Sequence, residues 1–416
     1  MGRSSEGGRI ALKATNLDAR VFAPAVTRPV TDGVLPVGQM PREDRAELPM
    51  QLEAALSRIA QGAEADDLER RFPRAAMDAL GAAGALQAPL PQARGGLGWF
   101  TSPEGALPGL KALMAIGHAS LPVGRLYEGH ANAIALVCRY GTETQIARLA
   151  DQVQSGGIFG VWNTETATGL RLTPCADGFV LEGAKTFASG AGSLAHPLVT
   201  ARRDDGSRVI VLPRIADAER GERADLSGWN VHGMRASMTG TFDFSGLPVS
   251  PTDIVGAPGD YDRQPMFSAG AWRFAAVQAG GIARVLDEMR AHLRATGRGT
   301  DPHQSSRLGS AAMACETANL WVHRAAALAE NASAETADQA IAYVNLARLA
   351  VEKAGLEVLE LAHRSVGLAG FLATSPLERL TRDLATYLRQ PGPDRALEGA
   401  AQHVLATPRA VTDLWS

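Results

Sequence analysis

The sequence predicts an α+β protein, mainly α, with an N-terminal helical domain, a central β-barrel-like domain and a C-terminal four-helix bundle. Three observations carry this prediction. Apolar residues recur three or four apart between residues 49 and 157, as in Leu52, Ala55, Leu56 and Ile59, the period of an amphipathic helix. Short apolar runs bounded by turn residues fill 158–265. Long uninterrupted apolar stripes fill 266–416, as in a helical bundle.

Each stretch has its own punctuation. Residues 1–48 are spaced by Pro and Gly with no sustained period and are expected to form a tail or an arm lying on a neighbouring subunit. Pro and Gly interrupt the first helical stretch between Ala88 and Thr101, marking a loop. In the central stretch, Phe179 to Leu181 follows the turn pair Asp177-Gly178, and Asp204-Asp205-Gly206 separates Leu198 to Arg202 from Val209 to Leu212 as a hairpin turn. Phe242 and Phe244 alternate with polar residues before Gly246 and Pro248. In the last stretch, helices are expected over 310–330 and 336–366, with Leu346, Leu349, Leu356, Leu359 and His363 on one stripe of the second. No internal repeat is present, and no G-x-G-x-x-G follows a strand, so a nicotinamide-binding doubly wound sheet is not expected.

Composition narrows the function classes. The 416 residues are 45% hydrophobic and 20% charged, ordinary for a globular enzyme. The net charge of -3, without a run of one sign, argues against a nucleic-acid partner, which needs clustered Lys and Arg. No stretch reaches the roughly 20 apolar residues of a membrane span, and Met1 to Thr31 lacks the apolar core of a signal peptide. The 3 cysteines, Cys138, Cys175 and Cys315, are far apart and show no metal-ligand spacing with the 9 histidines. Reduced thiols in a cytoplasmic protein without a metal are expected.

Five short motifs occur in order between Leu52 and Tyr387. They are Tyr140-Gly141-Thr142-Glu143-Thr144-Gln145 with Leu149; Trp162-Asn163-Thr164-Glu165-Thr166-Ala167-Thr168-Gly169; Lys185-Thr186-Phe187-Ala188-Ser189-Gly190; Gly233-Met234-Arg235-Ala236-Ser237 with Thr239; and Pro376-Leu377-Glu378-Arg379 with Arg382-Asp383. Together they resemble the acyl-CoA dehydrogenase superfamily, whose order of helices, β unit and helical bundle is the same.

The resemblance implies FAD as cofactor. A flavin ring needs donors at its N1–C2=O and N5 edges, because negative charge develops there on reduction. Thr164 and Ser189 match the family positions that supply them, and Trp162, Asn163, Thr168 and Gly169 complete the matching loop. By chemistry alone, Thr164 and Ser189 also read as turn caps. Phe187 stands where the family has a Trp on the ring face. Val366-Gly367-Leu368-Ala369-Gly370-Phe371 resembles the family's glycine turn, which places Gly367 and Gly370 near the pyrophosphate, with Arg364 in place of a Gln. Arg294 and Gln304 match residues that the family contributes from a neighbouring subunit, so a homo-oligomer, tetramer or dimer, is implied.

The resemblance breaks at the catalytic base. Family dehydrogenases remove an α-proton with a Glu eight residues after the Asp of the Arg-Asp pair, and that slot holds Pro391 here. The alternative position precedes an Arg on the first bundle helix, and Gly270-Ala271-Trp272-Arg273 has no carboxylate. Tyr127, Glu128, His130 and Asn132 form a polar cluster where the family has an apolar pocket wall. Glu128 and His130 are therefore candidates for proton transfer, with a helix-end cap and a packed core histidine as the alternative reading. Ser189 is the remaining candidate, beside flavin N5.

Three functions follow as expectations. The first is a flavin-dependent oxygenase acting on a small organic or thioester substrate, served by a flavin reductase. The second is an acyl-CoA or carrier-bound acyl dehydrogenase with an unrecognised base. The third is a flavin-binding assembly subunit without catalysis.

Overall fold

A computed structural model describes residues 50–416, and the expectations for the N-terminal arm lie outside the described residues. Among the described residues five helices come first: α1 (Met50–Leu68), α2 (Arg74–Ala82), α3 (Ala106–Ala119), α4 (Leu121–Tyr140) and α5 (Glu143–Gln154). On α1 the buried face is Leu52, Ala55, Ile59 and Ala63, spaced three or four apart. Thr142 starts α5 with a reciprocal cap: Gln145 N donates to Thr142 Oγ1 (3.3 Å) and Thr142 N donates to Gln145 Oε1 (2.8 Å). The same Gln145 amide donates to the carbonyls of Thr252 (3.0 Å) and Ile254 (2.7 Å), so this motif also ties α5 to the β unit.

Nine strands form one sheet: β1 (Phe159–Trp162), β2 (Glu165–Cys175), β3 (Gly178–Ala188), β4 (His196–Arg202), β5 (Arg208–Val211), β6 (Ala224–Asp225), β7 (Gly240–Asp243), β8 (Leu247–Val249) and β9 (Ile254–Val255). The path runs β6-β7-β3-β2-β4-β5-β9, with β1 alongside β4 and β8 alongside β3. The Asp204-Asp205-Gly206 turn joins β4 to β5, with Arg202 opposite Arg208 and Gly206 at a φ of 80°. Phe242 and Phe244 are fully buried and pack against Trp162, with ring centroids 5.3 and 6.2 Å from it. Each such pair adds about 0.5–1.5 kcal/mol beyond its buried area.

The C-terminal helices are α6 (Trp272–Ala295), α7 (Pro302–Glu330), α8 (Ala337–Val366), α9 (Pro376–Tyr387) and α10 (Pro393–Ala406). Helices α6, α7 and α8 pack on one another, α9 lies on α6, and α10 lies on α8. The buried stripe of α8 is Ala340, Val344, Ala347, Val351, Ala354, Val358 and Ala362, not the expected leucine stripe. Of the expected stripe Leu359 is buried, Leu356 is exposed, and Leu346, Leu349 and His363 are only half-buried. Small residues win the interior here because the three long helices pack closely. Helix α6 also meets α3 at close range: a Cβ on Gly280 would lie 2.0 Å from the Met114 carbonyl oxygen.

Candidate functional site

The site forms where β3 ends against α4 and the loop after β1. Lys185, with a fully buried side chain, holds that loop by donating to Asn163 O (3.1 Å), Glu165 Oε1 (3.1 Å) and Thr200 Oγ1 (3.0 Å). Burial pushes its ammonium down to about 8. Asn163 Oδ1 accepts from Thr200 Oγ1 (2.9 Å) and from Arg208, so its side chain is committed within the β unit. Thr164 and Thr168 remain exposed, and Gly169 sits at a φ of 70° in the irregular part of the β2–β3 ladder.

Two residues further along β3 the ladder with β7 also shifts register. Phe187 lies at this irregularity with a φ of 51°, an unusual conformation for a bulky residue. The distortion turns its ring outward. Phe187 is 63% exposed and meets Trp229 edge-on at 6.4 Å. Met234 and Met238 also have positive φ, 59° and 44°, on the loop beside this strand end. Backbone strain of this kind gathers where a site is being shaped.

Ser189 follows Phe187 at the strand end and is nearly buried. Its carbonyl accepts from Trp162 Nε1 (2.9 Å), and its hydroxyl oxygen accepts from Thr239 Oγ1 (3.2 Å). Thr239 is 2.8 Å from Ser237 Oγ, which also lies 2.8 Å from the Met234 carbonyl. With one proton per hydroxyl, these contacts form a chain from Ser189 through Thr239 and Ser237 to the Met234 carbonyl, which fixes the Ser189 side chain in place. Ser237 and Thr239 belong to the fourth motif, which was given no role at the site; their hydroxyls, two residues apart, were the available signal.

Ser189 lines a narrow cleft of about 10 Å3, room for about one water, whose walls include Arg125, Gly129, Trp162 and Leu194. No carboxylate lines it. Trp162 is thus a wall of the cavity and a support for the Ser189 backbone. Arg125 donates through Nη1 to Glu128, and Glu128 also accepts from Asn132 Nδ2. Asn132 Oδ1 accepts in turn from Arg273 Nη1 (3.3 Å), whose Nη2 donates to Glu330 Oε1 (2.6 Å). Glu128 is therefore buried inside an ion-pair network behind the cavity wall.

His130 leaves the list of proton-transfer candidates. Its Nδ1 accepts from Phe159 N (3.1 Å) and its Nε2 donates to the Leu86 carbonyl (2.9 Å), so neither nitrogen is available. Burial pushes the ring down to about 4, which keeps it neutral. The missing-base positions stay empty of acid. The Pro391 carbonyl is held by Arg348 (2.7 Å), and Asp394 is exposed in the first turn of α10. The alternative position, just before Arg273, offers only apolar side chains.

The remaining matches lie on the helical bundle. Gly367 has a φ of 72°, and Gly370 is buried in the short 3₁₀ turn that follows α8. Arg364 is exposed and paired with Glu360 (2.6 Å). Arg294 is exposed near the end of α6. Gln304 is buried in its own chain. In the amide orientation that satisfies its neighbours it donates to Ser365 Oγ (3.0 Å) and accepts from Arg298 (2.5 Å) and Arg307 (3.3 Å). Arg298 also donates to the Ser365 carbonyl (3.3 Å), which makes it the cation beside the glycine turn that motif matching passed over.

Helices, a β unit and a helical bundle, with an exposed aromatic beside a hydroxyl at a strand end, define a known class of folded protein. The model of the acyl-CoA dehydrogenase N-terminal domain matches residues 50–157, and that of the C-terminal domain matches 263–395. The chain belongs to the acyl-CoA dehydrogenase family. Among curated proteins it is 26% identical over 246 residues to a dibenzothiophene monooxygenase of Rhodococcus erythropolis, covering 54% of this chain and 56% of that protein. The chain thus spans about half the length of the curated relatives it matches. Among solved structures, FMN-bound TdsC of Paenibacillus sp. A11-2 superposes with a TM-score of 0.74 at 22% identity, covering 88% of this chain and 100% of that one. The methanesulfinate monooxygenase MsuC of Pseudomonas fluorescens gives 0.73 at 20% identity, covering 88% and 98%.

Proposed function

We propose that the protein is a flavin-dependent monooxygenase acting on a small organic substrate at the Ser189 cavity. One observation carries this reading: the cleft presents the Ser189 hydroxyl and an arginine, and none of its lining residues is a carboxylate. A dehydrogenase needs a base within hydrogen-bonding reach of the substrate's α-carbon. Glu128, the nearest candidate, is enclosed by Arg125 and Asn132. The monooxygenase names of the relatives agree with this reading.

The residues fit a flavin ring. Such a ring needs a flat apolar contact and donors at its polar edges, and Phe187 with Trp229 offers the first while Thr164, Thr168 and Ser189 offer the second. When bound in its reduced form, a flavin supplies two electrons to O2, so that one oxygen atom joins the substrate and the other leaves as water. The chain's own task is positional. Lys185 fixes the loop carrying Thr164, the Trp162 indole fixes the Ser189 backbone, and the Ser237–Thr239 pair holds the Ser189 hydroxyl in place.

The cofactor form that the chain favours is FMN, where the family resemblance implied FAD. Gln304, expected to reach the FAD of a neighbouring subunit, is committed to Ser365, Arg298 and Arg307 of its own chain. FMN is also the form bound in TdsC. A homo-oligomer fits the exposed apolar side chains of Met313 and Leu320 on α7 and of Leu368 and Phe371 after α8. A separate flavin reductase would supply the reduced cofactor.

The test is to load the protein with FMN, reduce it, and admit air with and without organic sulfur and nitrogen compounds. Oxygenation of one of these compounds is the expected result. Anaerobic bleaching of the bound flavin by an acyl-CoA would overturn the reading in favour of a dehydrogenase.

A further inference from the structure

A larger cavity, of about 460 Å3, opens at the start of β1, the end of that strand opposite Trp162. It is bounded by the end of α5, the start of α2, the residue that opens β4 and the short helical turn Asp217–Arg220. It shares no lining residue with the Ser189 cleft: Ser193 and Ala195 line the larger space, while Leu194 between them lines the cleft. Small-molecule sites span roughly 300–1,000 Å3, so this cavity can hold an organic ligand.

Two cations meet there from different elements. Arg74, the first residue of α2, packs over the Phe72 ring at 5.2 Å and has no carboxylate partner among the described residues. Arg220 pairs through Nη2 with Asp217, whose side chain is 91% exposed, so water screens that pair. The Arg220 Nε is buried with no partner among the described residues. Burial, and then the charge of Arg74, lower the Arg220 guanidinium, so the two cations stand close enough to repel. Two guanidiniums with an unfilled donor suit an anion with several oxygens. Gln152 Oε1 is a second buried atom without a partner on this wall, where a ligand N–H or O–H would satisfy it. Ile158 and Ile215 add apolar surface. His196 adds no charge, because burial pushes its ring down to about 4. The carboxylates of Asp151 and Asp217 balance the two arginines, which disfavours a polyphosphate.

We infer that this cavity is a second ligand site, for an organic phosphomonoester whose phosphate lies between Arg74 and Arg220 while its organic part faces Gln152, Ile158 and Ile215. A phosphomonoester has three free oxygens, enough to accept from two guanidiniums, where a carboxylate has two. The site stands apart from the monooxygenase reading, and binding there involves no chemical step.

The test is calorimetric titration of the full chain with AMP and glucose 6-phosphate, with the uncharged adenosine and glucose, and with inorganic phosphate. At least one monoester is expected to bind at least about tenfold more tightly than its uncharged counterpart and than inorganic phosphate, the worth of one charge-assisted hydrogen bond. The better of the two assigns a nucleotide or a sugar phosphate. Arg74→Gln and Arg220→Gln are each expected to weaken the monoester about tenfold or more. Gln152→Leu is expected to weaken it severalfold and leave inorganic phosphate unchanged. Ser155→Trp, at an exposed position on the cavity wall, is expected to block it with Tm unchanged. Arg298→Gln, in the helical bundle, is expected to have no effect. Failure of both monoesters to bind, binding no tighter than that of the uncharged compounds or of inorganic phosphate, or binding that survives both arginine variants would overturn the proposal. Loss of binding in Arg298→Gln would overturn it as well, by moving the monoester to the glycine turn.

Discussion

Arg382 Nη2 lies 2.7 Å from Asp67 Oδ2, joining the end of α1 to α9 across 315 residues of sequence. The same guanidinium binds both oxygens of Glu378 (2.6 and 2.9 Å) and the His232 carbonyl (2.9 Å). Its neighbour Asp383 accepts from Met234 N (2.6 Å). The Arg-Asp pair thus holds the first helix, the strained loop beside Ser189 and the bundle in one arrangement. Removing one partner from a buried ion network costs about 3–5 kcal/mol. Arg382→Met is expected to lower stability by about that much in urea unfolding. Arg382→Lys should recover only part of it, since a lysine cannot bind two carboxylates through a planar fork.

Gly233 passes directly under this pair. A Cβ there would lie 2.1 Å from the Arg382 carbonyl oxygen. Gly233→Ala is expected to cost at least about 1–3 kcal/mol by overpacking, read as a lowered Tm. It should also loosen the Ser189 loop, seen as weaker FMN binding.

Ser189→Ala removes the hydroxyl facing the cleft without disturbing the Trp162 support, which uses the backbone carbonyl. Product formation is expected to fall by about 10²–10³-fold, the usual effect of losing one preorganised donor. FMN affinity should change much less. Thr239→Val leaves the Ser189 hydroxyl in place but without its 3.2 Å partner, and a smaller loss, about tenfold, is expected.

His130 predicts a pH dependence of stability. In the folded protein its ring takes a proton only near pH 4, against an ordinary value of 6.5. Between these values the unfolded chain binds more protons, so the contribution of this residue is present above pH 6.5 and is lost as pH falls toward 4. The loss approaches about 3 kcal/mol at low pH. His196 is also pushed down to about 4, by burial and then by Arg220 and Arg148, and acts in the same direction. His130→Gln, which keeps a donor and an acceptor, is expected to flatten the stability profile between pH 4 and 6.5, measured by chemical unfolding at each pH.

The sequence made the order of helices and strands readable, because each segment carries its own period. It also put Phe187 and Ser189 in one short motif, and they lie together at the end of β3, since neighbours in sequence stay neighbours on a strand. What it could not show lies across long separations. Thr239 reaches Ser189 over 50 residues, and Arg125 enters the same cavity from a different helix. The buried stripe of α8 was missed for a related reason: leucines mark an apolar face, but the closest helix contacts select Ala and Val. His130 looked chemical in the sequence only because its two backbone partners, Leu86 and Phe159, are remote from it.

The central claim is oxygen transfer at the Ser189 cavity, and isotope labelling tests it most directly. The FMN-loaded protein would be supplied with a flavin reductase, NADH and the organic sulfur or nitrogen compound it turns over under ¹⁸O₂, and the product analysed by mass spectrometry. The account predicts one ¹⁸O atom per product molecule, with yield strongly reduced in Ser189→Ala. A product without ¹⁸O, or equal yield from Ser189→Ala, would contradict it.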